Sequence, residues 1–382
     1  MKLLHTSDWH VGKHLRGKSR IDEHRAVLAE IVEIVVAEAI DLVVVAGDLF
    51  DSATPTPESQ ELVYRTLLDL ARSGAQVAVI AGNHDNARAL RAVRPVFAGC
   101  GVQVVTHPTR PEEGGLFTFV AKDGAAVDLA LLPFVSQRGI VTADDLMTAE
   151  AADHAVAYAD RLRQVITSMC VGFHPEKVNV LATHAFVLGA QSGGGERPAH
   201  LVESYAIQAA AFPAGAGYVA LGHLHRAQRM HGATSIHYCG SPLQLDFSEV
   251  MDRKQVNVVE MNPGRPARVT TRLLASGRPL RVHKGSLDQL MADVPHDDAW
   301  LRLIVTDARR AGLADSLREQ FGERVVDVIV ESSAREAKTD ALRPRSANPV
   351  ELFAEFLATK GVDDERVNAL FHELLDDAEV QS

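Results

Sequence analysis

The sequence predicts an α/β protein built on a parallel sheet, followed by a smaller α/β unit and two terminal helices. Three observations predict it. Over the first third, short apolar runs alternate with stretches of helical periodicity. One run, DLVVVAG (41–47), is unbroken and β-branched, as in a strand buried on both faces. The runs end abruptly in polar residues, as strands do at the carboxyl edge of an open α/β sheet.

KLLHTS (2–7) is the first strand. From Ile21 to Ala39 the pattern is helical, with Val27, Leu28, Ile31, Val32 and Val35 on one broad face. DLVVVAG is the second strand, Glu58 to Arg72 the second helix and AQVAVIAG (75–82) the third strand. That βαβαβ order implies parallel strands with right-handed crossovers. VNVLATH (178–184), GYVALGH (217–223) and SIHYCGS (235–241) are later strands, each ending in small or polar residues. VNVVEM (256–261) and ARVTTRLL (267–274) read as a closing antiparallel stretch. SGRPLR places a boundary near Gly277. WLRLIVTD, a helical AGLADSLREQFG and RVVDVIVES then form a small βαβ-like unit from Trp300. Domains of 1–277, 278–335 and 336–382 follow.

The polar, proline-bearing stretch Ala334–Pro349 reads as a linker. Asn348, Pro349 and Glu351 supply the cap, first-turn proline and capping-box acid of a helix whose apolar face is Leu352, Phe353, Phe356 and Leu357. Gly361 ends it. A second helix carries Val367, Leu370, Phe371, Leu374 and Leu375 on one face, with acids opposite. These faces bind a partner or pack on each other.

The chain has 382 residues, 46% hydrophobic and 23% charged, as in a folded soluble protein. It has no apolar run long enough for a membrane span, and MKLLHTSDWH is not a secretory leader. Cys100, Cys170 and Cys239 show no paired spacing and read as buried thiols of a reducing cytosol. A net charge of −11 argues against a surface that grips nucleic acid by charge alone, but not against a local basic groove or a cationic metal site. SGGGERP (192–198) reads as a short flexible loop and lacks the Gly-Lys-Ser/Thr ending of a phosphate-binding P-loop.

Chemistry concentrates in five motifs at strand ends: SDWH (Asp8, His10), GDLFD (Asp48), GNHD (Asn83, His84), THA (His184) and GHLH (His223, His225). Each alone has a bland reading, because an aspartate after a strand is usually a cap or turn residue and a lone histidine usually packs. Together they bring carboxylate, imidazole and one amide to one edge. Those donors suit manganese, iron, cobalt or zinc, not a thiolate site. Seven candidate ligands (Asp8, His10, Asp48, Asn83, His184, His223, His225) are too many for one tetrahedral ion and suit two, with the Asp48 carboxylate able to bridge. His5 reads as packed in its strand. His14, His107, His154, His174, His231, His283, His296 and His372 read as surface or structural. His24 reads as part of a solvated face, with substrate contact as the alternative. Lys13, Arg16 and Lys18 are either solvated or a phosphate-facing cluster.

In this order the motifs D-x-H, G-D, G-N-H-D, H and G-H-x-H resemble the calcineurin-like metallophosphoesterase superfamily, over Met1 to Ser241. LLHTSDWHVGK, VVAGDLFDSATP, YVALGHLHRAQ and YCGSPLQLDF resemble, more narrowly, the nuclease components of bacterial DNA-processing complexes, over most of the chain. The resemblance implies a four-layer α/β/β/α sandwich, a capping domain that helps select DNA, and tail helices that dock on the coiled coil of an SbcC-type ATPase. It implies a cytoplasmic homodimer in contact through Glu58 to Arg94, and two divalent ions, Mn2+ by preference. One ion would be held by Asp8, His10, Asp48 and His225, the other by Asp48, Asn83, His184 and His223. The departing sugar oxygen needs a proton, for which His84 is the candidate donor. Asp85 either orients the His84 ring or caps the next helix. Asp51 stands where some relatives carry a histidine. A small-substrate or phosphoprotein phosphatase, and a scaffold that keeps the fold without chemistry, are the rival readings.

Overall fold

The computed structural model describes residues 1–136, 151–196, 206–308 and 312–331, with eight further helical positions between 353 and 375. The linker Ala334–Pro349, the cap at Asn348, Leu352, Gly361, Leu374 and His372 lie outside the described residues.

The first third folds as its periodicity dictates. Strands β1 (Lys2–Thr6), β2 (Leu42–Val45), β3 (Gln76–Ile80) and β4 (Val102–Val105) are mutually parallel neighbours. Helices α1 (Ile21–Ala37), α2 (Pro57–Arg72) and α3 (Ala87–Ala98) make the crossovers. Thr56 caps α2 by accepting from the Ser59 N–H, with Pro57 at the first position, where its missing donor matters least.

Strands β5 (Leu116–Val120) and β6 (Ala126–Leu132), helix α4 (Ala151–Met169), and strands β7 (Val178–His184), β8 (Tyr218–Gly222), β9 (Gln228–Met230) and β10 (Ile236–Tyr238) follow. They build a second six-stranded sheet in the order β9-β10-β8-β7-β6-β5, parallel inside and antiparallel at both edges. Strands β11 (Gln255–Glu260) and β12 (Arg268–Leu273) return to the first sheet and pair antiparallel beside β1, as the sequence implies.

Alternation along each strand separates the cores. Val43 and Val45 face α1–α3, while Leu42 and Val44 face the second sheet. Leu129 and Leu131 meet them from that sheet, and Ala130 and Leu132 pack against Tyr158, Leu162 and Ile166 of α4. Each fully buried valine or leucine of this kind contributes about 1.5–3 kcal/mol of transfer free energy.

After Gly277, β13 (Leu280–Gly285), α5 (Leu287–Asp293), β14 (Trp300–Val305), α6 (Leu313–Phe321) and β15 (Val325–Val330) form a three-stranded parallel sheet with its own core. It begins one strand and one helix earlier than the unit read from Trp300. It packs on the larger body through Leu15, Phe247, Leu280 and Trp300. Beneath them lies a buried ion pair: Arg20 donates to Glu23 at 2.7 Å, and the Trp300 Nε1–H donates to Glu23 at 2.8 Å.

Two assignments are corrected, those of His24 and Cys100. His24 is fully buried beneath α1, its Nδ1 2.9 Å from the Arg20 carbonyl oxygen. Cys100 is exposed, while Cys170 and Cys239 are buried. The cations after SDWH are paired: Lys13 with Asp51 (3.1 Å), Arg16 with Asp327 (3.5 Å) and Lys18 with Glu323 (3.7 Å). The last two acids belong to the C-terminal unit, so Arg16 and Lys18 face it. In the tail, Phe353 stacks on Phe371 at 3.8 Å, while Phe356 and Leu370 stay about half exposed at 52% and 53%.

Candidate metal centre

All the predicted site residues meet where the carboxyl ends of the two sheets face each other. Asp8 and His10 follow β1, Asp48 follows β2, and Asn83 and His84 follow β3; His184 ends β7; His223 and His225 follow β8. All eight are buried. The D-x-H and H-x-H spacings have a physical reason. Trp9, between Asp8 and His10, turns into the core under α1–α3, and Leu224 turns into the core under α4. The flanking side chains therefore turn the other way, into the gap.

That geometry demands unusual backbone. Among the described residues six non-glycines have positive φ, and four of them are Asp8 (52°), His10 (45°), Asp48 (53°) and His223 (102°). Such conformations are strained for L residues and persist only where their surroundings enforce them. Here the Asp8 N–H donates to the Gly47 carbonyl at 2.9 Å and the His10 N–H to the Asp48 carbonyl at 3.1 Å. Gly82 and Gly222 let the strand ends approach: a Cβ on Gly82 would lie 2.1 Å from Asp48 Oδ1, and one on Gly222 1.9 Å from the Ala46 oxygen.

Asp48 sits centrally. Its Oδ2 is 3.4 Å from both His10 Nε2 and His184 Nε2, and its Oδ1 accepts from the His84 N–H at 2.8 Å. Asn83 Oδ1 lies 2.9 Å from His184 Nε2 and 3.0 Å from His223 Nδ1. His10 Nε2 faces His225 Nε2 at 3.1 Å. Donor atoms of three sets lie within 4.8 Å of one another: Asp8, His10 and His225; His10, Asp48 and His84; Asp8, Asp48 and His184. The predicted ligands thus converge, and His84 joins them as a neighbour of His10 and Asp48.

The outward-facing nitrogens are engaged as in metal-binding histidines, where a second oxygen fixes the ring. His184 Nδ1 meets the Ala46 carbonyl at 2.8 Å, His84 Nδ1 the Asp51 carbonyl at 2.8 Å, and His225 Nδ1 Glu249 Oε1 at 3.0 Å. Asp51 Oδ1 is 3.5 Å from His10 Nδ1.

Electrostatics follow from crowding charge in a buried space. Burial lifts the Asp8 carboxyl to about 6, against nearby imidazoles that pull it down. At Asp48 burial is outweighed by His184 and His84, which hold it well below the carboxylate range. His184 is opposed by burial but lifted to about 9 by Asp48. Burial and the neighbouring His84 push His10 down to about 3. Two carboxylates, imidazoles and one amide converging on a buried gap fit hard to intermediate divalent cations. The nearby Cys239 thiol hydrogen-bonds with Ser7 at 3.1 Å, and burial raises its pKa, so it stays protonated and supplies no thiolate.

Several contributors escape sequence reasoning. Glu249 is fully buried behind His225, and Glu196 accepts from the His225 N–H at 3.0 Å. Glu196 also accepts from Gly193 and Gly194, so the described part of SGGGERP is pinned against the centre rather than loose. Phe134 lies edge-on to His184 at 6.1 Å. Asp85 neither orients the His84 ring nor caps α3. Its carboxylate accepts from the Gly82, Leu49 and Phe50 N–H groups, the Asp51 carbonyl holds the ring, and Asn86 is the cap.

Residues 1–227 match the family model for calcineurin-like phosphoesterases. The SbcD component of the Bacillus subtilis nuclease SbcCD is 35% identical, over 82% of this chain and 81% of its own length. The chain belongs to the SbcD branch of the calcineurin-like phosphoesterases. The SbcD component from Escherichia coli K12 is 29% identical over 97% of this chain and 96% of its own, and that of Rhodobacter capsulatus 33% over 70% and 68%. This branch fits the centre just described, and it makes the chain a metal-dependent phosphodiesterase. Among the described residues no helix is long and apolar enough to cross a membrane.

Proposed function

We propose that this chain is a two-metal, manganese-dependent DNA nuclease. In this reading it acts as an exonuclease on double-stranded ends and an endonuclease on hairpins or single strands, in break or hairpin processing with an SbcC-type ATPase in the cytoplasm. The observation that carries the reading is Asp48 Oδ2, 3.4 Å from imidazoles on opposite sheets, with Asp8 and His225 gathered about His10, and Asn83 Oδ1 close to both His184 and His223.

Asp8, His10, Asp48 and His225 would hold one ion, and Asp48, Asn83, His184 and His223 the other. Such a pair supplies charge neutralisation for a phosphodiester and a water of lowered pKa. The chain does the rest. Asn83 adds a neutral donor where a third carboxylate would reduce the pull on the substrate. His84, its Nδ1–H given to the Asp51 carbonyl, is aimed to give an Nε2 proton to the departing sugar oxygen. The sandwich is read as four-layered, and 278–335 as the cap that helps select DNA. Residues 336–382 would meet the ATPase, with the exposed Phe356 and Leu370 as contacts, and Glu58 to Arg94 would form a homodimer.

The test is cleavage of linear and hairpin DNA with manganese, with and without the ATPase partner. Manganese-dependent cleavage is expected. No cleavage in either case, or turnover of a phosphate monoester far above that of DNA, refutes the reading.

A further inference from the structure

Glu249 belongs to no sequence motif of the centre, yet it is fully buried and touches it. Its Oε1 is 3.0 Å from His225 Nδ1. Its Oε2 accepts from Lys254 Nζ at 2.7 Å and from the Leu245 N–H at 3.0 Å. Lys254 in turn donates to the His225 carbonyl at 3.1 Å. Ring and backbone of His225 are thus held by one ion pair.

The turn that carries Glu249, Phe247–Glu249, is clasped from the other side by the C-terminal unit. Phe247 is buried among Leu15, Leu280 and Trp300, and the Arg302 guanidinium lies 4.4 Å over its ring. The Gln244 side chain accepts from the Leu280 N–H at 2.8 Å and donates to the Glu249 carbonyl at 3.0 Å. An unbroken series of packed groups therefore runs from β13 and β14, through Phe247 and Gln244, to Glu249, and on to His225.

We propose that Glu249 is a positioning residue through which the seating of the C-terminal unit sets the divalent-metal affinity of the half of the centre formed by Asp8, His10 and His225. This rests on reading the centre as a metal site. The physical basis is that a carboxylate behind a ligating histidine fixes its ring and raises its basicity. A turn released from Phe247 and Gln244 loosens that carboxylate. In the other half His184 is steadied instead by the Ala46 carbonyl, inside the sandwich.

The test uses the full chain and manganese alone, with binding followed by calorimetry and by the Mn2+ paramagnetic resonance signal. Phe247→Leu and Arg302→Met leave every metal-facing side chain in place, and Arg302→Met removes only the guanidinium over Phe247 and its ion pair with Asp327. Wild type should take up two ions. Both variants should bind one of them about 10-fold more weakly, the lower end of the usual effect of such supporting groups, and Glu249→Gln should show the same loss, with Glu249→Asp partly restoring it. Wild-type affinity for both ions in Phe247→Leu and Arg302→Met, whatever their thermal stability, overturns the inference while leaving the metal reading intact. A wild-type chain that takes up no divalent ion overturns both.

Discussion

Replacing Gly82 by alanine should cripple the centre without touching a single proposed ligand. Gly82 lies two residues past β3, against the strand-end turn that carries Asp48. A Cβ built there meets Asp48 Oδ1 at 2.1 Å, its backbone nitrogen at 2.4 Å and Cγ at 2.7 Å. The nitrogen belongs to the main chain, so no rotation of Asp48 relieves the clash. Real Cβ contacts essentially never fall below 3.0 Å, so the two main chains must part by about 0.6 Å (3.0 − 2.4) and Asp48 Oδ1 must retreat by about 0.9 Å (3.0 − 2.1). Asp48 is the residue equidistant from His10 and His184, so that retreat pulls the two halves of the centre out of register. A misplacement of about 1 Å at reacting groups lowers rate by roughly 10²-fold, and overpacking of this kind destabilises by about 1–3 kcal/mol. Manganese-dependent hydrolysis of a bis-nitrophenyl phosphodiester, calorimetric metal binding and urea unfolding measure the three effects. Gly74→Ala is the control: that position has positive φ (84°), unlike Gly82, but nothing within 4 Å of its Cβ. It should lose about 1–2 kcal/mol of stability, the cost of an L residue in the left-handed region, and keep its activity. Gly82→Ala with wild-type turnover and metal affinity would refute the close-approach argument.

Other outcomes follow from the same geometry. His84→Ala should retain two metal ions and DNA binding while cleavage falls about 10²–10⁴-fold; loss of an ion would instead make His84 a ligand, in keeping with its place beside His10 and Asp48. In the metal-free chain His184 is lifted to about 9, so near neutral pH an entering ion must displace its proton. Affinity should therefore rise with pH toward about 9 and fall further as Asp8 protonates near 6, and calorimetry in buffers of different ionisation enthalpy should show proton release; a pH-independent affinity contradicts this. Arg20→Met strips Glu23 of its buried partner and should destabilise by about 3–5 kcal/mol, with hydrogen exchange rising first in β13–β15; unchanged unfolding would show the joint is not held there. Deleting 348–382 should abolish binding to the ATPase and leave manganese binding intact, as measured by pull-down and calorimetry.

The convergence of the candidate ligands was legible because they stand at strand ends, where a change from apolar to polar is visible locally. Asp8, Asp48 and Asn83 announce themselves after KLLHTS, DLVVVAG and AQVAVIAG. The parallel βαβ core was legible for the same reason, and so was the antiparallel pair that closes it. Support from distant segments was not. Glu249 sits in a short turn with no periodicity, and only the fold brings it behind His225. His24 looked solvated because α1 periodicity says nothing of the Gln244 carbonyl and the Arg278 N–H that close on the amino end of the helix, at Arg20 and Glu23. The sequence left Lys13, Arg16 and Lys18 as either solvated or phosphate-facing, and it could not show Asp51, Asp327 and Glu323 as their neighbours. The edge strands of the second sheet, β5 and β9, are short and half-exposed and carry little pattern of their own.

The most direct test of the central claim is a crystal of the full chain soaked in manganese, with anomalous scattering used to locate the ions. Two peaks about 3.5–4 Å apart are predicted, one bounded by Asp8, His10, Asp48 and His225 and the other by Asp48, Asn83, His184 and His223, with an Asp48 oxygen between them. A single peak, or ions that leave Asp48 unligated, would contradict it.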